Sequence, residues 1–460
     1  MTRHFQIRTN TAIVAGIVVL CIGTASAQWV EDSIDVGGRW VGGMVYNSRA
    51  DVVYGNCQYT DGIFFAIDCS TNQLAASWRI PWPREAAYDS IDNKCYVAFQ
   101  DGGEDSVMVV DGQTHTRMKA IPLDGANIPV WDPVSNRLYV SCLERNRVSV
   151  IDCATDSVIA HIPTPAGPLK MHLNTLHRKL YVLCHDAESL AIVDLNTNQI
   201  RRRIGLTLPP EMGCYDAAVD KYYCNDGPGR VAVIDGTTDS LLGHVVFEHG
   251  EMAYAAAGHP GSDLVMFAVW GLHGNYVYVA DGVGDSVLSI LEVGRTPRGL
   301  CWSEPSDLVY CANSASDDVS VIRGDGSAVL TTLDAADYPF VMVAVPRHDR
   351  IYLGHLNGNM VYVIKDRVGG IEEYGGDSGM ARYGLRVWPN PFKSKLAIET
   401  ARPGAVAVYS RDGRLVRQLE ARTGATVWDG SDVSGRETPA GVYYVAALGT
   451  SLRVAVVKLD

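Results

Sequence analysis

The sequence predicts an all-β protein: a β-propeller of eight blades, closed by an N-terminal strand, and then a small C-terminal β-sandwich. Three observations predict it. Short runs alternate apolar with polar or small residues, as LYVSC and VSVID do within residues 136–163, which is the period of a strand with one covered face. Between the runs stand only turn residues such as ERN and DCATD, with no helical period anywhere near them. The pattern also repeats: FFAID, VMVVD, VSVID, LAIVD, VAVID, VYVAD, VSVIR and VYVIK end at Asp68, Asp111, Asp152, Asp194, Asp235, Asp281, Arg323 and Lys365. A β-only repeat in the low forties is the length of a four-stranded propeller blade.

Residues 1–27 stand apart. Arg3 and Arg8 precede the apolar run AIVAGIVVL, and Ala25–Ser26–Ala27 offers small residues for cleavage before Gln28, the layout of an export signal. That run is shorter than the ~20 residues a spanning helix needs. Next, SIDVGG (Ser33 to Gly38) resembles the SILEVG that ends at Gly294. It is expected to be an outer strand that completes the last blade, since no strand pattern follows Lys365 and an open edge would otherwise remain. Eight repeats with this strand predict eight blades; seven is the alternative if the sixth unit, irregular around Gly258 to His273, is not a blade.

Inside each unit two positions recur. Tyr54, Tyr96, Tyr139, Tyr181, Tyr223, Tyr310 and Tyr352 each follow an Asp, Asn or Arg by three residues, and Met266 alone breaks the series. A tyrosine so placed suits packing between blades, with its hydroxyl on a polar partner. The turns DCSTNQL, DGQTHTR, DCATDSV, DLNTNQI, DGTTDSL and DGVGDSV suit carboxylates and hydroxyls bonded to nearby backbone N–H groups rather than a metal.

These residues resemble the YVTN family of β-propeller repeats, also called YncE-like, through VGRTPRG (Val293 to Gly299), YVSC, YVLC, YCAN and VSVID. The resemblance covers about residues 33–365 and implies the fold; propellers of this kind are mostly binding platforms. The propeller is therefore placed at 28–365, with a Gly-rich linker at 366–384. In the remainder, 385–460, VWPNPF, VYSRDGRLVRQL, WDGSDVSG, PAGVYYVAAL and the terminal VKLD read as short strands between DG, GSD and PAG turns. As a set they are similar to the type IX secretion C-terminal sorting domain and the related FlgD-like Ig domain. That resemblance implies the outer-membrane secretion machinery as a partner and an extracellular or cell-surface destination, reached through the periplasm.

Charge and cysteines narrow the functions. The chain has a formal charge of −13, and removing Arg3 and Arg8 with the signal makes it about −15, so electrostatics disfavour nucleic acid as a partner. Ten cysteines follow Cys21, and no C-x-x-C occurs, which excludes the usual zinc-finger and haem-attachment spacings. Cys214 with Cys224, and Cys301 with Cys311, each lie ten residues apart across an inner hairpin. They are either hairpin disulfides or small buried hydrophobes. Loops entering the innermost strands carry Arg84, Glu85, Lys170, Glu211 and Arg298, a mixed-sign ring suited to a polar ligand or peptide. His185, Asp186 and Glu188 read as a polar turn in preference to a metal site. No nucleophile, metalloprotease or phosphate-loop motif occurs, so neither a cofactor nor a metal is expected. The expected function is non-catalytic binding of a protein, peptide or glycan. A propeller lactonase or lyase and a structural surface-layer or adhesion component are the alternatives.

Overall fold

The computed structural model describes residues 28–366, apart from 59–61, 102–104, 249–250 and 336, and residues 385–458, apart from 389–391, 401–403, 411–413, 422–424 and 448–452. The expected export signal and the linker beyond Asp366 lie outside the described residues. The chain divides into two compact units between residues 370 and 371.

The first unit is eight four-stranded antiparallel sheets. Blades 1 to 7 take their strands in chain order from residues 41–79, 83–122, 126–163, 168–205, 213–246, 252–292 and 297–334. Blade 8 takes Pro339–Val345, Arg350–His355 and Met360–Asp366 and borrows its outer strand from the N-terminus, Gln28–Asp35. The sixth unit is a full blade, so the seven-blade alternative falls. Its irregular spacing comes from a long middle hairpin, Leu264–Gly271 and Gly274–Asp281, paired down to Gly271 opposite Gly274.

Closure by the N-terminus is as expected, but the strand begins five residues earlier than Ser33. Gln28 pairs with Asp366 and Asp35 with Met360. By Val36 the chain is already turning: its N–H donates to Asn359 O, and Asp35 Oδ1 accepts the Gly37 N–H. Asp366, expected in the linker, ends the last strand, where Tyr310 Oη donates to its carboxylate at 2.7 Å. At the bulge between Val30 and Asp32, Glu31 forms a two-point ion pair with Arg350, at 2.6 and 3.0 Å. Arg350 also donates to Cys69 O of blade 1 at 2.6 Å, so one guanidinium ties three segments of the ring.

The repeated tyrosines are buried and clasp one blade to the next. Tyr96, Tyr139 and Tyr352 donate to Asp156, Asn198 and Asn72, and Tyr54 Oη lies 2.8 Å from His115 Nδ1. Each partner is the fifth residue of the D-x-x-x-N/D/H turn in the following blade, and each stands at positive φ, between 50° and 57°. The first Asp of these turns accepts backbone N–H groups two and three residues on, as Asp68 does from Ser70 and Thr71 and Asp235 from Thr237 and Thr238. The Asp, Asn or Arg three residues before each tyrosine is left-handed as well, from Asp51 to Asp349, which explains the preference for residues that tolerate this region. The interblade layers are filled by Val, Ile, Leu and Tyr of the two middle strands, most with no exposure.

The second unit has a three-stranded sheet (Leu385–Trp388, Leu396–Thr400, Ala425–Trp428) and a four-stranded one (Leu415–Ala421, Gly404–Ser410, Gly441–Ala447, Arg453–Lys458). They enclose one core of Leu396, Ile398, Val406, Val408, Trp428 and Val445, a sandwich. Trp428 Nε1 finds Ser431 O at 2.8 Å, so the largest buried ring leaves no donor unpaired.

Candidate functional site: the channel mouth

Seven of the eight inner strands begin with a register shift. Bulges re-aim side chains, and here they occupy the end of the channel where the loops between blades enter. The bulged residues include Arg84 and Glu85 in blade 2, Leu169 and Lys170 in blade 4, Tyr254 in blade 6, Arg298 in blade 7 and Phe340 in blade 8. Buried second-strand side chains brace them. Asn56 Nδ2 donates to Pro83 O, Ser141 Oγ to Leu169 O and Ser314 Oγ to Pro339 O, each reaching the next blade, while Asn225 Oδ1 accepts the Glu211 and Met212 N–H groups.

Of the five charged residues expected at the mouth, the structure groups some and separates others. Glu85 and Lys170 face one another electrostatically: burial pushes the Glu85 carboxyl above the usual range, and Lys170 opposes that shift. Gly43 makes room for Glu85, since a Cβ there would stand 3.3 Å from Glu85 Cγ. Arg298 lies over two aromatic faces, 5.7 Å from the centroids of both Tyr254 and Trp270, which stack 4.9 Å apart. Glu211 is exposed and lies 3.8 Å from His185 Nε2. Arg84 turns aside, donating to Gln100 at 2.6 Å; burial lowers its pKa, against the pull of Asp105 and Glu144. His185 pairs with Asp186 at 2.9 Å, and among the described residues no group of three His, Cys, Asp or Glu is placed to hold a metal.

Deeper in the wall, two residues past Lys170, His172 Nδ1 lies 3.1 Å from Tyr222 Oη. Desolvation, helped by Lys170, lowers the His172 pKa to about 3, so the imidazole is neutral at physiological pH. Tyr222 is fully buried and stacked on Tyr181 at 4.1 Å. A Cβ at residue 213 would stand 2.1 Å from Tyr222 Oη, so Gly213 has to be glycine for this pair to exist.

The sequence reading missed the aromatics. Trp270 and Tyr254 carry Arg298, yet only Arg298 was anticipated. A second group sits just before the inner strands, where the chain is left-handed in six blades: at Gly125 and Gly167, but also at Trp40, Trp82, Thr296 and Tyr338, with φ between 38° and 66°. A non-glycine residue there costs on the order of 1–2 kcal/mol. Trp40, Trp82 and Tyr338 occupy three adjacent blades, and Trp82 is 54% exposed. The signal was available: a bulky residue at a repeat position where glycine is the unstrained choice.

The hairpin disulfides are not formed, and all ten cysteines in the described residues are free. Cys214 faces Tyr223 while Cys224 faces Gly213; Cys301 faces Tyr310 while Cys311 faces Leu300. Opposed residues in these hairpins are always an odd number of positions apart, so two residues ten apart fall on opposite faces. Burial pushes the Cys214 and Cys301 thiols up to about 11 and 12, as befits inert packing residues.

No protein-family profile and no curated protein matches the sequence. Among solved structures the chain is similar to the dihydro-heme d1 dehydrogenase NirN in complex with DHE, with a TM-score of 0.56 and 14% identity over 64% of this chain and 66% of that one. It is also similar to the Kuenenia stuttgartiensis hydrazine synthase, with a TM-score of 0.50 and 16% identity over 64% of this chain and 98% of that one. The match spans just under two thirds of the first of these chains. At such identities the likeness concerns the fold alone: the chain is an eight-bladed β-propeller followed in sequence by a second, all-β unit.

Proposed function

We propose that the protein is an exported binding platform whose channel mouth holds a protein, peptide or glycan, with no chemistry of its own, and that residues 385–460 are a sorting domain for the type IX secretion apparatus. The observation that supports the first part most is the Arg298–Tyr254–Trp270 stack. The stack offers a cationic, aromatic face, and Glu85 and Lys170 add both signs of charge from the bulges of blades 2 and 4. Rigid anchors of this kind recognise ligands well. Among the described residues the His172–Tyr222 pair in the channel wall has a neutral histidine and a fully buried phenol, which favours binding over acid–base chemistry there. Peptide and glycan arrays probed with the mature chain and with Arg298→Glu test this reading. Specific binding lost in the variant, with unchanged circular dichroism, is expected. Turnover of a lactone that survives extensive washing and requires a stoichiometric metal would replace it with the enzymatic alternative.

A further inference from the structure

The repeats permit one blade to be used as a reference for another. In blade 5, Arg230 opens the third strand and His244 lies on the outer strand, and together they hold the carboxylate of Asp226. Arg230 Nη2 and His244 Nε2 stand 3.2 and 2.8 Å from Asp226 Oδ2. Asp226 is buried, and burial would raise its pKa, but the Thr207 N–H, His244 and Arg230 hold it below the usual carboxylate range. Blade 3 has the same two holders in the same register. Ser149 opposes His161 as Ala232 opposes His244, and Arg147 opposes Pro163 as Arg230 opposes Val246. The held group is missing: the position of Asp226, three after the blade's tyrosine, is Cys142.

In place of a carboxylate, blade 3 has a groove shared with blade 2, a cavity of about 920 Å³ lined by Arg147 and His161 together with Arg79 and Arg117. Among the described residues none of these three arginines has a carboxylate within ion-pair distance. Arg147 Nε is buried with no hydrogen-bond partner. His161 is oriented by Ser149, whose Oγ lies 2.9 Å from Nδ1; this leaves Nε2, the nitrogen that grips the carboxylate in blade 5. Three acids also line the groove, the exposed Asp101 with Asp105 and Asp124, and the last two are already engaged. Asp124 pairs with Arg145 at 2.6 Å, and Asp105 accepts the Asp101 and Gly125 N–H groups at 3.1 and 2.9 Å. The remaining walls come from Ile80, Pro81, Pro122 and Val158 with Ser106 and Phe99, and Phe99 is only 8% exposed, which leaves little ring face on which a sugar would stack.

We infer that this groove is a second binding site, apart from the channel mouth, which takes the aspartate or glutamate of an acidic peptide segment between Arg147 and His161 and an apolar neighbour against the aliphatic walls. The external carboxylate takes the part that Asp226 plays from within in blade 5, where the equivalent arginine and histidine stand 3.2 and 2.8 Å from its oxygen.

The test uses the mature full-length chain and two blocked tripeptides, Leu-Asp-Leu and Leu-Asn-Leu, followed by calorimetry and by the imidazole resonances of His161. Leu-Asp-Leu is expected to bind one site at least tenfold more tightly than Leu-Asn-Leu and to shift His161. Cys142→Asp, which supplies the internal carboxylate, should abolish that binding; Arg147→Gln with His161→Gln should abolish it too, should the first variant fail to fold. No preference for aspartate over asparagine, or binding unchanged in the variants, overturns the proposal. A glucuronic acid disaccharide that binds the site as tightly as Leu-Asp-Leu overturns the peptide assignment. None of these outcomes depends on Arg298 or the channel mouth.

Discussion

Deleting Gln28 to Gly38 removes the strand that closes the ring, and the structure sets the size of the effect. The deletion strips Ile34 and Val36, 6% and 1% exposed, from a core shared with Val361 and Val363 of blade 8 and Cys57 and Phe65 of blade 1. Full burial of such side chains contributes about 1.5–3 kcal/mol each, and half-buried Val30 roughly one more. The strand's ladder bonds and its cost of backbone ordering are opposed and of similar size. About 5 kcal/mol is thus at stake in a domain whose total stability is typically about 5–15 kcal/mol. At roughly 2 °C per kcal/mol for a large domain, the midpoint of thermal unfolding should fall by about 10 °C. The loss also leaves Met360–Asp366 as an open edge, so the variant should aggregate on heating. Differential scanning calorimetry of the mature chain with and without residues 28–38 measures this. A midpoint lowered by less than about 2 °C, with unfolding still reversible, would refute the closure argument.

Asp226→Cys should destabilise the propeller by about 1–3 kcal/mol, because the Thr207 N–H, His244 and Arg230 lose the carboxylate they bond while the partly exposed Arg230 regains water; chemical denaturation reads it, and a change under about 0.5 kcal/mol would contradict the role given to that carboxylate. Trp82→Gly should leave the melting temperature unchanged or raise it, by relief of about 1 kcal/mol of left-handed strain, while weakening ligand capture at the mouth. Thiol titration of the denatured mature protein without reductant should find ten free cysteines, and six or fewer would restore the hairpin disulfides. Truncation at residue 384 should yield a folded propeller retained in the periplasm, seen by cell fractionation; normal surface delivery of the truncated chain would remove the sorting role.

The fold was legible because propeller information is local and repeated eight times. An alternating run, a turn-closing Asp and a tyrosine three residues after a left-handed turn each recur, so an irregular unit such as the sixth does not erase the pattern. Positions that depend on register were harder. The start of the closing strand moved from Ser33 to Gln28 because pairing with Met360–Asp366, not internal similarity, sets its ends. The cysteine pairs failed on parity: the turn's length sets opposed residues an odd number of positions apart, and the cysteines stand ten apart. At the mouth, loop charges were visible in the sequence but their partners were not: Arg84 turns to Gln100 across one hairpin, and Arg298 lies on Trp270 of the preceding blade, contacts set by strand pairing and blade packing.

Repetition also changes what a single odd residue means. In a unique fold, a cysteine at position 142 is one more small buried side chain. In a repeat, position 142 corresponds to position 226, three after the blade's tyrosine, although the turns that follow differ: Leu143–Arg145 is a 3-10 turn, and Gly227 and Gly229 stand at positive φ. The eight residues three after the tyrosine position are Cys57, Phe99, Cys142, Cys184, Asp226, Val269, Asn313 and His355, and each has been fitted to a different local need. Asn313 donates to Asp318 and Ser320, His355 lies against Asp337 O at 3.0 Å, and Cys184 packs in an apolar layer. Cys142 alone stands beside an arginine and a histidine arranged for a carboxylate that the blade does not contain. Burial holds the Cys142 thiol in its neutral form despite the hydrogen bond from Arg147, so the guanidinium's charge is not neutralised there, and burial lowers the His161 pKa with the positive charge of Arg147 acting in the same direction. Such an arrangement raises the free energy of the empty groove, and an incoming anion relieves it.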